Sequence, residues 1–235
     1  KELKIETARS LDMKFFYGIL IALYFGWFIW YGGSGEPLTV KEASYFKSQM
    51  MNSGELYSKD VTDPLKYMDS LIKGDDGDEF IMVNLIKFRA IATYPSGSQW
   101  VNDTDPMLAD SRYGEAVLPM LLKRGSLPIL TSSVNGKFIN DGGDNEWDMV
   151  ALVRYRSVRD MLDMMLEMSK MDIIDHKWAA IERTHVFPVK PRLSLISLRL
   201  ILAMILVLIA VFTTYLLHLK RSKNLIADQV IGKNK

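Results

Sequence analysis

Residues 80–88 read Phe80-Ile81-Met82-Val83-Asn84-Leu85-Ile86-Lys87-Phe88, and residues 147–155 read Trp147-Asp148-Met149-Val150-Ala151-Leu152-Val153-Arg154-Tyr155. Both runs have strand length and end at turn residues. Side chains alternate between the two faces of a strand. Phe80, Met82, Ile86 and Phe88 fall on one face of the first run, and Ile81, Val83 and Leu85 on the other. The second run is also apolar on both faces. Strands of this kind are covered on both sides.

Working toward the C-terminus, residues 90–105 carry Pro95, Gly97 and Asp103 and read as a loop. A helix is expected from 106 or 107 to 124, closed by Gly125. Residues 127–134 read as a second strand, with Asn135-Gly136 as a turn. Gly142 and Gly143 mark a loop before the third strand, 147–155. Ser157 is a helix cap with Asp160 at the third position. The helix it opens carries Met161, Leu162, Met164, Met165 and Met168. Such a cluster is a soft core face; copper(I) binding is the competing chemistry. A fourth strand is expected over 179–189. The order strand, helix, strand, strand, helix, strand predicts an α+β fold with a ferredoxin-like βαββαβ domain. Helices cover one face of such a sheet. The other face needs protein from elsewhere, and a second copy of the same sheet is the economical answer.

Working toward the N-terminus, the acidic turn Asp75-Asp76-Gly77-Asp78 precedes the first strand without the ligand spacing of a calcium loop. A helix is expected from Thr62-Asp63-Pro64, with Pro64 at its first position and Gly74 past its end. Another begins at Thr39, where Thr39 and Glu42 form a capping box and Gly54 suits the end.

Both ends of the chain carry long uncharged runs. Residues 15–31 read FFYGILIALYFGWFIWY, and residues 200–217 read LILAMILVLIAVFTTYLL. At ~1.5 Å per residue the first covers ~26 Å, near the lower limit for a membrane span. It lacks a small-x-small cleavage site and reads as an anchor rather than a cleaved signal. The second is apolar on every side, unlike a core helix. Nine basic residues sit in the two tails, against five near the spans on the domain side. That bias predicts cytoplasmic tails and an extracytoplasmic domain at a bacterial inner membrane. The expected plan is tail 1–14, span 15–31, helical linker region 32–79, α/β domain 80–190, span 195–217 and basic tail 218–235.

Lys plus Arg is 29 and Asp plus Glu is 28, so no global field favours nucleic acid. Cysteine is absent, which excludes disulfides and thiolate chemistry. His176, His185 and His218 lack metal-ligand spacing, and phosphate, dinucleotide and nucleophile-elbow motifs are missing.

The pieces 80–88, Arg112-Tyr113-Gly114-Glu115, 147–155, Ser157 with its methionine-rich helix, and His176-Lys177-Trp178-Ala179-Ala180 form a recognisable set. Together they resemble bacterial domains of unknown function in the dimeric α/β-barrel superfamily, which includes antibiotic-biosynthesis-type monooxygenases and chlorite dismutase-like proteins. Members of that family usually carry proline in place of Arg156 and arginine in place of Lys177. The resemblance implies a pocket between sheet and helices. It nominates Asn84, Lys87, Arg89, Tyr113, Arg154, His176 and Arg183 as its polar lining.

Two classes of function follow. One is a non-catalytic accessory subunit of a respiratory, photosynthetic or oxygenase-type membrane complex, with Leu85 and Val150 in a sheet interface. The other is a membrane-tethered small-molecule-binding protein or cofactor-independent monooxygenase using the pocket. No cofactor is expected in the domain. The first span is rich in aromatic residues. Tyr17, Tyr24, Trp27, Phe28 and Tyr31 read either as an extended interfacial belt or as a contact for a partner subunit or a lipid, quinone or pigment.

Overall fold

The computed structural model describes residues 2–32, 35–57, 59–139, 146–191 and 198–233. The chain divides into two compact units: residues 1–29 with 193–235, and residues 30–192.

The first unit pairs α1 (Glu2–Gly32) up to Ile29 with α7 (Leu198–Lys233). Each contains a stretch long and apolar enough to cross a membrane, Met13–Gly32 and Arg199–Lys220. Tyr17, midway along α1, meets Thr214, midway along α7, while Phe28, late in α1, meets Arg199 at the start of α7. The two helices therefore run antiparallel. Met13, Phe16, Tyr17, Leu20, Tyr24 and Trp27 are the half-buried positions up to Ile29; Met13, Tyr17, Leu20, Tyr24 and Trp27 among them are spaced by four and three residues, as in the seam of packed helices. The expected start of the second span at 195 and the glycine loop at Gly142 and Gly143 lie outside the described residues.

The second unit is an α+β domain. Its elements are α2 (Val40–Tyr57), α3 (Thr62–Lys73), β1 (Phe80–Phe88), α4 (Pro106–Lys123), β2 (Leu127–Ser133), β3 (Met149–Tyr155), α5 (Val158–Ser169), α6 (Ile173–Ala180) and β4 (Ile181–Val189). The four strands form one sheet in the order β2-β3-β1-β4, and every neighbouring pair is antiparallel. Residues 80–88 and 147–155 therefore share the sheet, with Leu85 opposite Val150.

The local signals explain most boundaries. Thr39 and Glu42 exchange hydrogen bonds in a capping box ahead of α2. The Asp105 carboxylate accepts from the Met107 and Leu108 amides and starts α4 with Pro106. Ser157 accepts from the Asp160 amide and starts α5. Four expectations shift. Gly54 sits inside α2, because the helix runs on to Tyr57. Pro64 is the third residue of α3 rather than its first. β3 begins at Met149 instead of 147, since Asp148 turns aside to pair with Lys87. β4 begins at Ile181, because residues 173–180 form α6, which runs directly into the strand.

The larger difference is the domain's extent. Residues 32–79, expected as a helical linker, supply Phe46 and Met50 from α2 and Met68 and Leu71 from α3 to the main core. They pack with Phe80, Met82 and Tyr155 of the sheet, Met120 of α4, and Leu162, Met164 and Met168 of α5. The methionine face of α5 is core. Burying each such side chain stabilises the fold by about 1.5–3 kcal/mol. A smaller cluster around Ile86, Ala109, Ala179 and Ile181 closes the other end, beneath Trp100.

Candidate functional site

The cores lie against one face of the sheet, so the other face can be written row by row from the strand register. Leu127, Arg154, Ile81 and Val189 form the first row. Leu130, Leu152, Val83 and Phe187 form the second, and Ser132, Val150, Leu85 and His185 the third. Lys87 and Arg183 end the face as a fourth row. Its centre is apolar and open: Val83, Leu85, Val150 and Leu152 are half-buried, and Leu130 and Phe187 are exposed at 45% and 44%.

Charged groups close the two ends of this face. At one end Arg154 is 3% exposed. It donates to the Gly125 and Tyr31 carbonyls, both at 2.7 Å, and pairs with Glu79. At the other, Lys87 pairs with Asp148 at 2.9 Å, and Asp148 also accepts from the Phe88 amide. Burial works against the Asp148 charge, but these partners hold its carboxyl below the usual range. Arg183 and His185 lie beside the Trp147 ring.

The helix side carries a second polar group. The Tyr94 hydroxyl is 2.8 Å from Nδ1 of His176 and accepts from Arg112 at 3.4 Å. Arg112 stacks on Trp100 at 3.9 Å and pairs with Asp103 at 2.6 Å. Burial and the Arg112 charge push His176 below its ordinary range. Next to it, Tyr113 is driven up to about 12 by loss of solvent. Tyr155 behind it is raised for the same reason.

The seven polar residues nominated for one pocket are thus divided. Asn84, Tyr113 and His176 lie on the helix side. Asn84 donates back to the Met82 and Ala151 carbonyls of its own sheet. Lys87, Arg154 and Arg183 lie on the open face. Arg89 sits past the end of β1, bonded to the Trp178 carbonyl. Strand parity separates them: Asn84 and Lys87 are three positions apart, so they cannot share a face. Tyr94, Trp100, Asp103 and Arg112 were not nominated. Three of them come from the loop and one from α4, and only the fold brings them to His176. Among the described residues, no cluster of three acidic or histidine side chains is placed to hold a metal ion.

The aromatic residues of the first span are divided as well. The Tyr17 hydroxyl is 2.6 Å from Thr214, and Phe28 lies 5.0 Å from the Arg199 guanidinium. Both partners belong to the second span of the same chain. Tyr24 keeps ring contacts with Phe25 and Phe28. Tyr31 belongs to the domain, where it is buried against Arg154.

No protein-family model matches this chain, and no curated protein matches it. Among solved structures, the chain is similar to RPA0582, a protein of unknown function from Rhodopseudomonas palustris, with 22% identity and a TM-score of 0.48. That similarity covers 55% of this chain and 94% of the other. The structure of methylated RPA0582 gives 23% identity and a TM-score of 0.49, over 56% and 93% of the two chains.

Proposed function

We propose that this chain is a non-catalytic accessory subunit of a larger bacterial inner-membrane complex, held by two membrane helices, whose α/β domain binds protein through the open face of its sheet. The observation that carries this reading is the pair of central rows on that face. Leu130, Leu152, Val83 and Phe187, with Val150 and Leu85 beside them, are apolar side chains that no helix of the domain covers. An exposed patch of this kind costs solubility unless a partner removes it from water. The charged groups at its ends suit the rim of an interface. Two antiparallel membrane helices would leave both tails on one side, and the basic residues of the tails favour the cytoplasm. The strand order β2-β3-β1-β4 supports reading the domain as a ferredoxin-like split βαβ fold. That agrees with a sheet covered from outside, by another subunit or by a second copy. The outward aromatic residues Phe15 and Phe25 on the first span remain for a neighbouring helix or a lipid-like group.

Co-purification tests the reading. Wild-type chain extracted in mild detergent should migrate in a native gel as a large assembly. Leu85→Lys and Val150→Lys should release it, while near-native circular dichroism shows that the half-exposed positions tolerate lysine. Wild-type chain that migrates as a bare monomer with its sheet open would overturn the proposal.

A further inference from the structure

Residues 89–105 cross from β1 to α4 and fold back over α6. The Ala92 amide donates to the Thr104 carbonyl at 2.9 Å, and the Thr93 amide to the Ala179 carbonyl at 3.1 Å. Tyr94, 6% exposed, packs under this crossing with Ala92, against Ala109, Ala179 and Ala180, which are no more than 1% exposed. Alanines offer little apolar area to hold a cover in place. The polar contacts of Tyr94 therefore matter to the closure.

Those contacts run in one direction. A guanidinium only donates, so Arg112 donates to the Tyr94 oxygen at 3.4 Å. The Tyr94 hydroxyl proton is left with one acceptor among the described residues, Nδ1 of His176 at 2.8 Å. That puts the ring proton of His176 on Nε2 and keeps the imidazole neutral. Charged groups approach His176 from three elements. Arg112 comes from α4, and Asp103 of the loop is taken up by Arg112 at 2.6 Å. Asp175, on α6 itself, favours the charged ring, but burial and Arg112 outweigh it and hold His176 below its ordinary range. Trp100, whose ring centre is 5.7 Å from that of His176, already has Arg112 stacked on it at 3.9 Å.

We propose that residues 89–105 form a pH-sensitive flap, closed by the Tyr94–His176 bond while His176 is neutral and released when His176 takes a second proton. The new proton lands on Nδ1, which turns from acceptor to donor. The Tyr94 hydroxyl loses its acceptor, and a second positive charge stands beside Arg112. Release frees the flap from α6 and uncovers the alanine cluster shared by α4 and α6. In the open flap His176 returns toward its ordinary value of 6.5, and the closed flap holds it lower. Closure is therefore strongest above 6.5 and weakens as pH falls below it, by up to about tenfold per pH unit.

The test is hydrogen exchange of the full chain in detergent, read by peptide mass spectrometry at about pH 7.5 and about pH 5, either side of the ordinary histidine value. After correction for the pH dependence of free amides, exchange of residues 89–105 should rise at least about threefold at the lower pH, while residues 80–88 stay protected. His176→Asn keeps an oxygen acceptor near the position of Nδ1 and cannot be protonated. It should hold the flap closed at both pH values. Tyr94→Phe removes the bond at every pH and should speed exchange of the flap already at neutral pH. Nitrogen-15 spectra of the wild type should show His176 as the Nε2–H tautomer at neutral pH. Exchange of residues 89–105 that is equal at the two pH values, a pH response that survives in His176→Asn, or a neutral His176 with its proton on Nδ1 would overturn the proposal.

Discussion

The guanidinium carbon of Arg154 lies 3.5 Å from the centre of the Tyr31 ring, and the same side chain donates to the Tyr31 carbonyl at 2.7 Å. Arg156, two residues on, donates to the Trp30 carbonyl at 3.1 Å. Two arginines two positions apart thus take the last carbonyls of α1, where a helix end leaves acceptors unfilled and carries partial negative charge. Arg156 is held for this by Asp160 at 2.6 Å.

Arg154→Ala should destabilise the domain by about 3 kcal/mol, because it strips charged hydrogen bonds from buried carbonyls and leaves them dry. Arg154→Lys should cost less but not restore the wild type, since a lysine cannot stack and fork at once. Thermal unfolding of the full chain in detergent, followed by near-ultraviolet circular dichroism, measures both.

Gly125 has φ +62°, and a Cβ there would run into the Trp30 carbonyl oxygen and lie 3.0 Å from the Arg156 side chain. Gly125→Ala should lose about 1–2 kcal/mol from backbone strain and more from the clash with Trp30. Gly136 has φ +79° with open space around it, so Gly136→Ala should show the strain alone. Equal losses at the two positions would mean that the approach to Trp30 is unimportant.

The Tyr17–Thr214 bond joins the two long apolar helices, and the Thr214 hydroxyl also donates a hydrogen bond to the Ala210 carbonyl at 2.8 Å. Tyr17→Phe and Thr214→Val should each weaken helix pairing modestly. The double-mutant cycle should give a coupling of about 0.6–1.7 kcal/mol, the range for hydrogen bonds between membrane helices. A coupling of zero in bilayer nanodiscs would show that the hydroxyls satisfy themselves elsewhere.

Glu42 connects α2 to α5. It accepts from Arg159 at 3.0 Å and from the Thr39 amide at 2.8 Å. Arg159 first, then Thr39, lower its pKa from 4.5 to about 2. A carboxyl lowered in the folded state stabilises it above the unfolded value, and that contribution fades as pH falls from about 4.5 to about 2. Glu42→Gln should therefore destabilise the domain at neutral pH and flatten the loss of stability across that acid window. Acid titration of wild type and variant, followed by circular dichroism, tests it.

Residues 80–88 and 147–155 were legible as strands because both are apolar on both faces, of strand length, and bounded by turn residues. That the two share one sheet was legible from the order of elements, whereas the register that sets Leu85 opposite Val150 came from the fold. Helix starts were equally legible at Thr39 and Ser157, since a cap is a local hydrogen bond between residues two or three apart. The linker assignment failed at Phe46, Met50, Met68 and Leu71. Their helices look like ordinary amphipathic segments, and periodicity shows which face is apolar but not which core receives it.

By itself, the sequence determined two membrane-length helices, a four-stranded α+β domain between them, and a sheet too apolar for its own helices to cover. These follow from local periodicity and from the free energy of taking apolar area out of water. Only the tertiary structure decided which polar residues meet. It put Lys87, Arg154 and Arg183 on the open face and His176 with Tyr94 on the helix side. It gave Tyr17 a partner in Thr214. Contacts between residues far apart in sequence depend on strand register and helix packing. Those are fixed by the fit of the whole core, which no short stretch of residues encodes.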